Sequence, residues 1–400
     1  MSDGRHDSAT KVYLSDVEIH LQSPFASAED LRARVLFHVL FCDELLVGDS
    51  QCLNTPLFRA LVSRDEAGAS PVRSDLGVLL DSGRIRVARR DDRTLREVRD
   101  SQELRGVDNV PSAEYAEAMD LRIRRHPVTY DLDGVAAAFK SGVLRLLGKE
   151  LAGAEGVTRR LLEEARSWAD SQQPLFYKSI RDWAEDYGRA SVSVSTEVVL
   201  ALDTVDRAAG EAYRQALPTV LGAGTAAPRG TVRLAASAGH RTVAQTVGLP
   251  ADMLDSFLLG RLPVGVLLEA TEQASRAVLV RELAVLRSGR EPDQALLQEA
   301  VSEFGAWMHR AFLRAYRTTD ERARAVLRGE QNLMRFGITQ NAVTGALSAS
   351  LEVPQPDDDG TAYLDVRFLE HGLPAADDIS AAALQPHRLR QRAVVGSSLG

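Results

Sequence analysis

Four hundred residues exceed what one hydrophobic core usually organises, so two domains or one large one are expected. A hydrophobic fraction of 44% beside 26% charged residues is that of a soluble globular protein, and a net charge of −8 argues against a chain whose main business is wrapping nucleic acid. No run approaches the roughly 18 uncharged apolar residues of a membrane span, and the polar start Met-Ser-Asp-Gly-Arg-His-Asp lacks the apolar stretch of a signal peptide, so no membrane association is expected.

Only four of the 48 basic residues are lysines: Lys11, Lys140, Lys149 and Lys178. That bias points to a GC-rich bacterial genome, so abundant arginine is not by itself a sign of phosphate binding. Two isolated cysteines, Cys42 and Cys52, make neither a metal site nor a disulfide framework and imply a reducing cytoplasm.

In chain order, residues 1–10 read as a polar arm. Lys11 to Leu21 reads as a strand with Val12, Leu14, Val17 and Ile19 apolar. Asp30 to Leu40 reads as a helix of mixed face. "FCDELLVGDSQCLNTPLFRALV", Phe41 to Val62, reads as a strand over 43–48, a polar turn, and a helix starting at Pro56 after Thr55. A loop at 65–73, a short helix from Asp75 to Ser82 and a strand "RIRVA" from Arg84 to Ala88 follow. Thr94 with Glu97 forms a capping box for the next helix. Residues 11–130 are therefore an α/β region with parallel pairing.

From Asp131 to about residue 340 helical periodicity dominates. Leu297, Val301, Phe304, Met308, Ala311 and Ala315 fall on one helical stripe. "PTVLGAGTAAPRG", Pro218 to Gly230, reads as a linker. Over 341–372 the period changes to two. Val343, Leu347, Ala349, Leu351 and Val353 share one face, and Ala362, Leu364, Val366 and Phe368 share another beyond an acidic turn. That is a β-hairpin. Two strands alone are unstable, so it is expected to join the N-terminal sheet. Residues 373–400 read as a loose tail. The fold class expected is α+β and mainly α-helical: a small N-terminal α/β region, a larger helical body and a C-terminal hairpin.

The motifs of the common catalytic classes are missing. There is no Walker-type phosphate loop, Gly-x-Ser-x-Gly elbow, His-Glu-x-x-His helix or Cys-x-x-Cys pair. Three constellations carry candidate chemistry. Asp49 ends the strand "ELLVG" and Glu97 sits on the capped helix after "RIRVA". In these residues the 42–105 region resembles metal-dependent nucleases of the PIN type. The resemblance implies clustered carboxylates holding Mg²⁺ or Mn²⁺ against a phosphodiester. The competing reading has Asp49 accept backbone N–H groups of the next turn, Glu97 serve only the capping box, Leu45, Leu46 and Val47 face covering helices, and Cys42 stay an inert thiol. On that account Asp49→Asn costs little.

"TVAQTVGLPADMLDSFLLGRL", Thr242 to Leu262, is the second. With Ala244, Gly248, Leu249, Leu254 and Phe257 it resembles the helix-turn-helix of phage-repressor-like domains, which implies DNA binding, and Arg261 is the first residue of a base-reading type along its second helix. Asp252 and Asp255 on the reading helix oppose a phosphate-lined groove, so a helix pair used purely for packing is the favoured reading and no specific duplex binding is expected. The third is the strand face Arg84, Arg86 and Arg90, either an anion-binding patch or part of an ion-paired surface. The aromatic run Ser167 to Gly188, with Phe176, Ile180, Trp183 and Tyr187 at helical spacing, reads as core before it reads as a base-stacking platform.

The function these readings favour is that of a cytoplasmic bacterial interaction or regulatory protein without catalytic chemistry or cofactor. The partner expected is a protein, another protein or a second copy of this chain, in preference to nucleic acid. The alternatives are a DNA-binding regulator using 242–262 and a PIN-like nuclease using Mg²⁺ or Mn²⁺.

Overall fold

The run Glu44-Leu-Leu-Val-Gly48 is apolar at three successive positions, as a strand covered on both faces must be. In the computed structural model it is the middle strand of a parallel sheet. The structure describes residues 10–14, 28–65, 73–104, 106, 110–191, 195–226, 233–235, 247–249, 256–287, 292–316, 335–340, 347–353 and 362–366. The arm at 1–9, the loop at 66–72 and the tail at 373–400 lie outside the described residues.

The sheet begins with β1 (Lys11–Leu14), α1 (Ala28–Phe41) and β2 (Glu44–Gly48). Two short helices, α2 (Asp49–Asn54) and α3 (Pro56–Val62), and a turn of helix, α4 (Gly77–Asp81), lead to β3 (Ile85–Arg90). Then come α5 (Leu95–Leu104), α6 (Ala113–Ile123) and β4 (Val128–Tyr130). Four long helices follow: α7 (Leu132–Leu151), α8 (Gly156–Ser171), α9 (Tyr177–Ala190) and α10 (Thr196–Leu221). The chain then returns to the sheet as β5 (Gly224–Ala226). Strand order is β4-β3-β2-β1-β5, and every pair is parallel. All five carboxyl ends therefore lie along one edge.

Two features of this sheet depart from the sequence reading. The run taken as a linker supplies β5: α10 continues through Pro218 to a left-handed Gly222, and the next residues pair with β1. The short β4 was hidden because three residues are too few to show a period. The helix α1 also differs from a mixed-face helix, being buried nearly all round. It packs on β2 and on α11 (Ser256–Arg261), α12 (Val264–Thr271) and α13 (Ala274–Arg287), with α14 (Gln294–Ala315) behind α13.

Two buried arginines fasten this packing. Arg32 of α1 pairs with Asp75 at 2.8 Å and donates to the carbonyls of Gly260 and Leu262. Arg276 of α13 donates to the carbonyls of Val39 and Leu40 in the last turn of α1 and of Cys42 just after it, at the helix end where backbone carbonyls run out of intrahelical donors.

Two hydrophobic cores result. The first joins the sheet, α1 and the helices α11–α14. The stripe residues Leu297, Val301, Phe304 and Met308 belong to it. The second lies within α7–α10, where Gly142 of α7 meets Ala212 of α10 so closely that an added Cβ would stand 3.0 Å from the alanine Cβ. Residues 131–340, read as one helical body, are thus divided between two cores.

A second sheet contains β6 (Arg233–Ala235), β7 (Val247–Leu249), β8 (Arg335–Gln340), β9 (Leu347–Val353) and β10 (Ala362–Val366) in the order β6-β10-β9-β8-β7, all antiparallel. The expected hairpin is present as β9–β10, with Val353 opposite Ala362. It joins this second sheet rather than the N-terminal one, whose β1 edge is already filled by β5. Val247–Leu249, placed by the sequence reading at a helix–helix turn, is a strand paired with β8. Of the 242–262 run only α11 is described as helix, and residues 242–246 and 250–255, Asp252 and Asp255 among them, lie outside the described residues. Among the described residues no helix is long and apolar enough to cross a membrane.

Candidate functional site: the carboxyl edge of the parallel sheet

Open parallel sheets bind ligands in the crevice beyond their carboxyl strand ends, where successive strands run off in opposite directions from a shared starting point. Here that point is β1, with β2 on one side and β5 on the other. Gln51 ties the two older strands together at this edge. Its Oε1 accepts the Gly48 N–H at 2.8 Å and its Nε2 donates to the Leu14 carbonyl at 2.9 Å. The Tyr13 hydroxyl passes over Gly48, where a Cβ would stand 2.8 Å from Oη. Any side chain at position 48 would therefore displace the tyrosine.

Asp49 opens α2 directly after β2 and is fully buried. Its carboxylate accepts the Ser50 N–H at 2.6 Å, the turn contact expected from sequence. It also accepts three donors from Arg90: the backbone N–H at 3.2 Å, Nε at 2.8 Å and Nη2 at 2.8 Å. Four donors fill the roughly four lone-pair sites of a carboxylate. Burial works against the charge of Arg90, but the hydrogen bonds and charge of Asp49 outweigh it and hold the guanidinium more firmly protonated than usual.

This arrangement separates the residues that the sequence reading grouped. Glu97 does not meet Asp49. It is solvent-exposed, accepts the Thr94 N–H at 2.8 Å and the Thr94 hydroxyl at 3.0 Å, and is held below the usual glutamate range chiefly by that backbone bond. Among the described residues no group of three or more His, Cys, Asp or Glu is placed to hold a metal ion. The arginines do not form one anion patch either. Arg86 pairs with Glu44 at 2.9 Å and donates to the Pro127 carbonyl, and Arg90 is taken by Asp49. Arg84 precedes β3, its carbonyl accepting the Leu45 N–H. Arg261 lies elsewhere, 3.6 Å from Glu29 of α1.

Above this edge a cleft of about 220 Å³ lies between the sheet and the helices α7, α9 and α10. Its floor is buried. Tyr13 and Gln51 come from the sheet side, Tyr130 is the last residue of β4, and Ala136, Phe139 and Leu175 come from the helical side. Its mouth carries Phe176, Lys178 and Tyr213, all exposed. The Tyr213 ring stacks on Tyr177 at 5.5 Å and meets the edge of Phe139 at 6.3 Å. Arg214 is paired with Glu211 at 2.7 Å. Burial, and then the charge of Asp49, push the Tyr130 phenol well above the ordinary tyrosine value, so it stays neutral.

Sequence reasoning missed Tyr13, Gln51, Tyr130 and Tyr213. Tyr130 ends a strand of three residues, too short to show a period, and Gln51 lies in a helix of only six residues, which sequence alone reads as a polar turn. The aromatic run from 167 divides. Ile180 and the stacked Trp168–Trp183 pair serve the second core, Tyr177 packs against that core and also lines the cleft, and Phe176 turns to the cleft. Comparison with known proteins finds no family model that matches the chain, and neither a curated protein nor a solved structure similar to it.

Proposed function

We propose that this chain is a regulatory or interaction protein without catalytic chemistry of its own, and that its input is a small organic molecule taken into the cleft at the carboxyl edge of the parallel sheet. One observation carries the reading. The cleft lies between the two hydrophobic cores, with a buried, largely apolar floor and a few polar groups converging on it, which is the usual make-up of a ligand site. A ligand held there touches both cores and biases how they pack together.

The non-catalytic part of the reading rests on the donors at hand. Asp49, buried at this edge, is saturated by Arg90 and Ser50, and Glu97 is engaged with Thr94. The output we infer is a protein contact. Val199 and Leu200, adjacent on α10 and more than half exposed, support it as apolar surface that water disfavours. A reducing bacterial cytoplasm fits the two buried free thiols and the arginine-rich composition.

A thermal-shift screen of a library of small organic metabolites tests the reading. It is run on the wild type and on Val135→Trp, which fills the cleft from a half-buried position on α7. Hits that raise the wild-type melting temperature and lose their effect in the variant are expected. A library without hits, or hits that stabilise both proteins equally, would contradict it.

A further inference from the structure

The lining of the cleft differs from the rest of the chain in two ways. Six of its sixteen lining residues are aromatic, in a chain where aromatics make up 6% of residues. Its charged lining residues are Arg90, Lys178 and Arg214, with no carboxylate among them, although the chain as a whole carries a net charge of −8. The first property selects a flat ring that can pack against Tyr130, Phe139 and Tyr213. The second selects an anion.

The charge state follows from which cations are already spent. Arg90 belongs to Asp49, and Arg214 to Glu211. Lys178, exposed at the mouth, has no carboxylate partner among the described residues. It is the second residue of α9, whose N-terminus carries no side-chain cap, so helix and lysine favour negative charge at the same place. One uncommitted cation at the mouth suits a monoanion. A di- or triphosphate would leave most of its charge unmatched beside a phenol- and leucine-lined floor. Size sets the remaining limit. A dry cavity of about 150 Å³ takes benzene. The cleft, at about 220 Å³, therefore has room for one substituted ring or a fused pair.

We propose that the ligand is a planar aromatic carboxylate, its ring seated on the floor and its carboxylate at the mouth beside Lys178. This rests on the cleft being a ligand site. Calorimetric titration of the full chain with three probes tests it: 2-naphthoate, its neutral isostere 2-naphthamide, and the aliphatic anion octanoate. The expected result is saturable binding of 2-naphthoate, with the amide and octanoate each about tenfold weaker or worse, since one lacks the charge-assisted bond and the other the ring contacts. Lys178→Met, at an exposed site that leaves the fold alone, should bring 2-naphthoate down to the level of the amide, and Lys178→Arg should restore it. Equal binding of naphthoate and naphthamide, or indifference to Lys178→Met, overturns the proposal. Failure of 2-naphthoate while other library compounds still act through the cleft overturns the ligand class and leaves the cleft standing. Silence of probes and library together removes both.

Discussion

The Asp49–Arg90 pair determines what the sheet edge can do. A carboxylate at a strand end with open lone pairs is a metal ligand or a general base. The same carboxylate filled by one guanidinium and two backbone amides is a fastening between β2 and β3. That reverses one expectation. Read from sequence, Asp49→Asn is tolerated because an amide oxygen accepts the same turn bond. With Arg90 in place, the substitution leaves a largely buried cation without its counter-charge. About 2–4 kcal/mol of stability should be lost in urea unfolding, toward the lower end because a quarter of the Arg90 side chain reaches water. Asp49→Asn/Arg90→Met should recover much of that, since no orphaned charge remains. A neutral single variant would mean that the pair does not form in solution.

Alkaline pH probes the same neighbourhood. Burial, and then the charge of Asp49, raise both the Cys52 thiol and the Tyr130 phenol. The unfolded chain releases these protons near their ordinary values of 9.0 and 10.0, while the fold retains them. Groups with raised folded values contribute stability that is complete below the unfolded value and is lost as pH rises toward the folded one. The urea midpoint should therefore fall as pH rises above about 9 and go on falling above 10, and Tyr130→Phe should flatten the part above about pH 10. An equal fall in Tyr130→Phe would place the titrating group elsewhere.

At the scale of elements, α1 is the hub. Its nearly complete burial leaves its last carbonyls to Arg276, since water cannot reach them. Arg276→Met keeps the apolar length of the side chain but orphans three carbonyls. The expected cost is about 3 kcal/mol, read as a shift of the urea midpoint with unchanged slope. A neutral variant would show that the first core does not depend on this cap.

What was legible in the sequence follows the same division. The Thr94–Glu97 capping box, the start of α3 at Pro56, the α14 stripe and the buried strand at Glu44–Gly48 all announce themselves through local chemistry or through period. The three-residue strands β4 and β5 do not. Their assignment depends on which neighbour they pair with, and that is set by helices up to 26 residues long between them. The hairpin was recognised from its alternation, but the sheet it joins was not, because alternation says which face is apolar and nothing about the partner. For the site, the turn contact of Asp49 with the Ser50 N–H was legible, but its pairing with Arg90 was not, because a contact between two strand ends has no local signature. The floor tyrosines were not noticed at all, since a tyrosine at a strand end has no sequence signature.

For the whole molecule, the division into two cores matters more than the count of helices. The sheet with α1 and α11–α14 is one body, α7–α10 is another, and the cleft is where the carboxyl edge of the first meets the second. A ligand there should order both sides at once, because its free energy of binding is shared by contacts on each. Hydrogen exchange on the full chain, with and without the strongest cleft ligand, reads this directly. Slower exchange is expected together at residues 48–51 after β2 and in the facing turns of α7, α9 and α10, and it should be absent in Val135→Trp. Protection confined to one body, or appearing away from the cleft, would contradict the account.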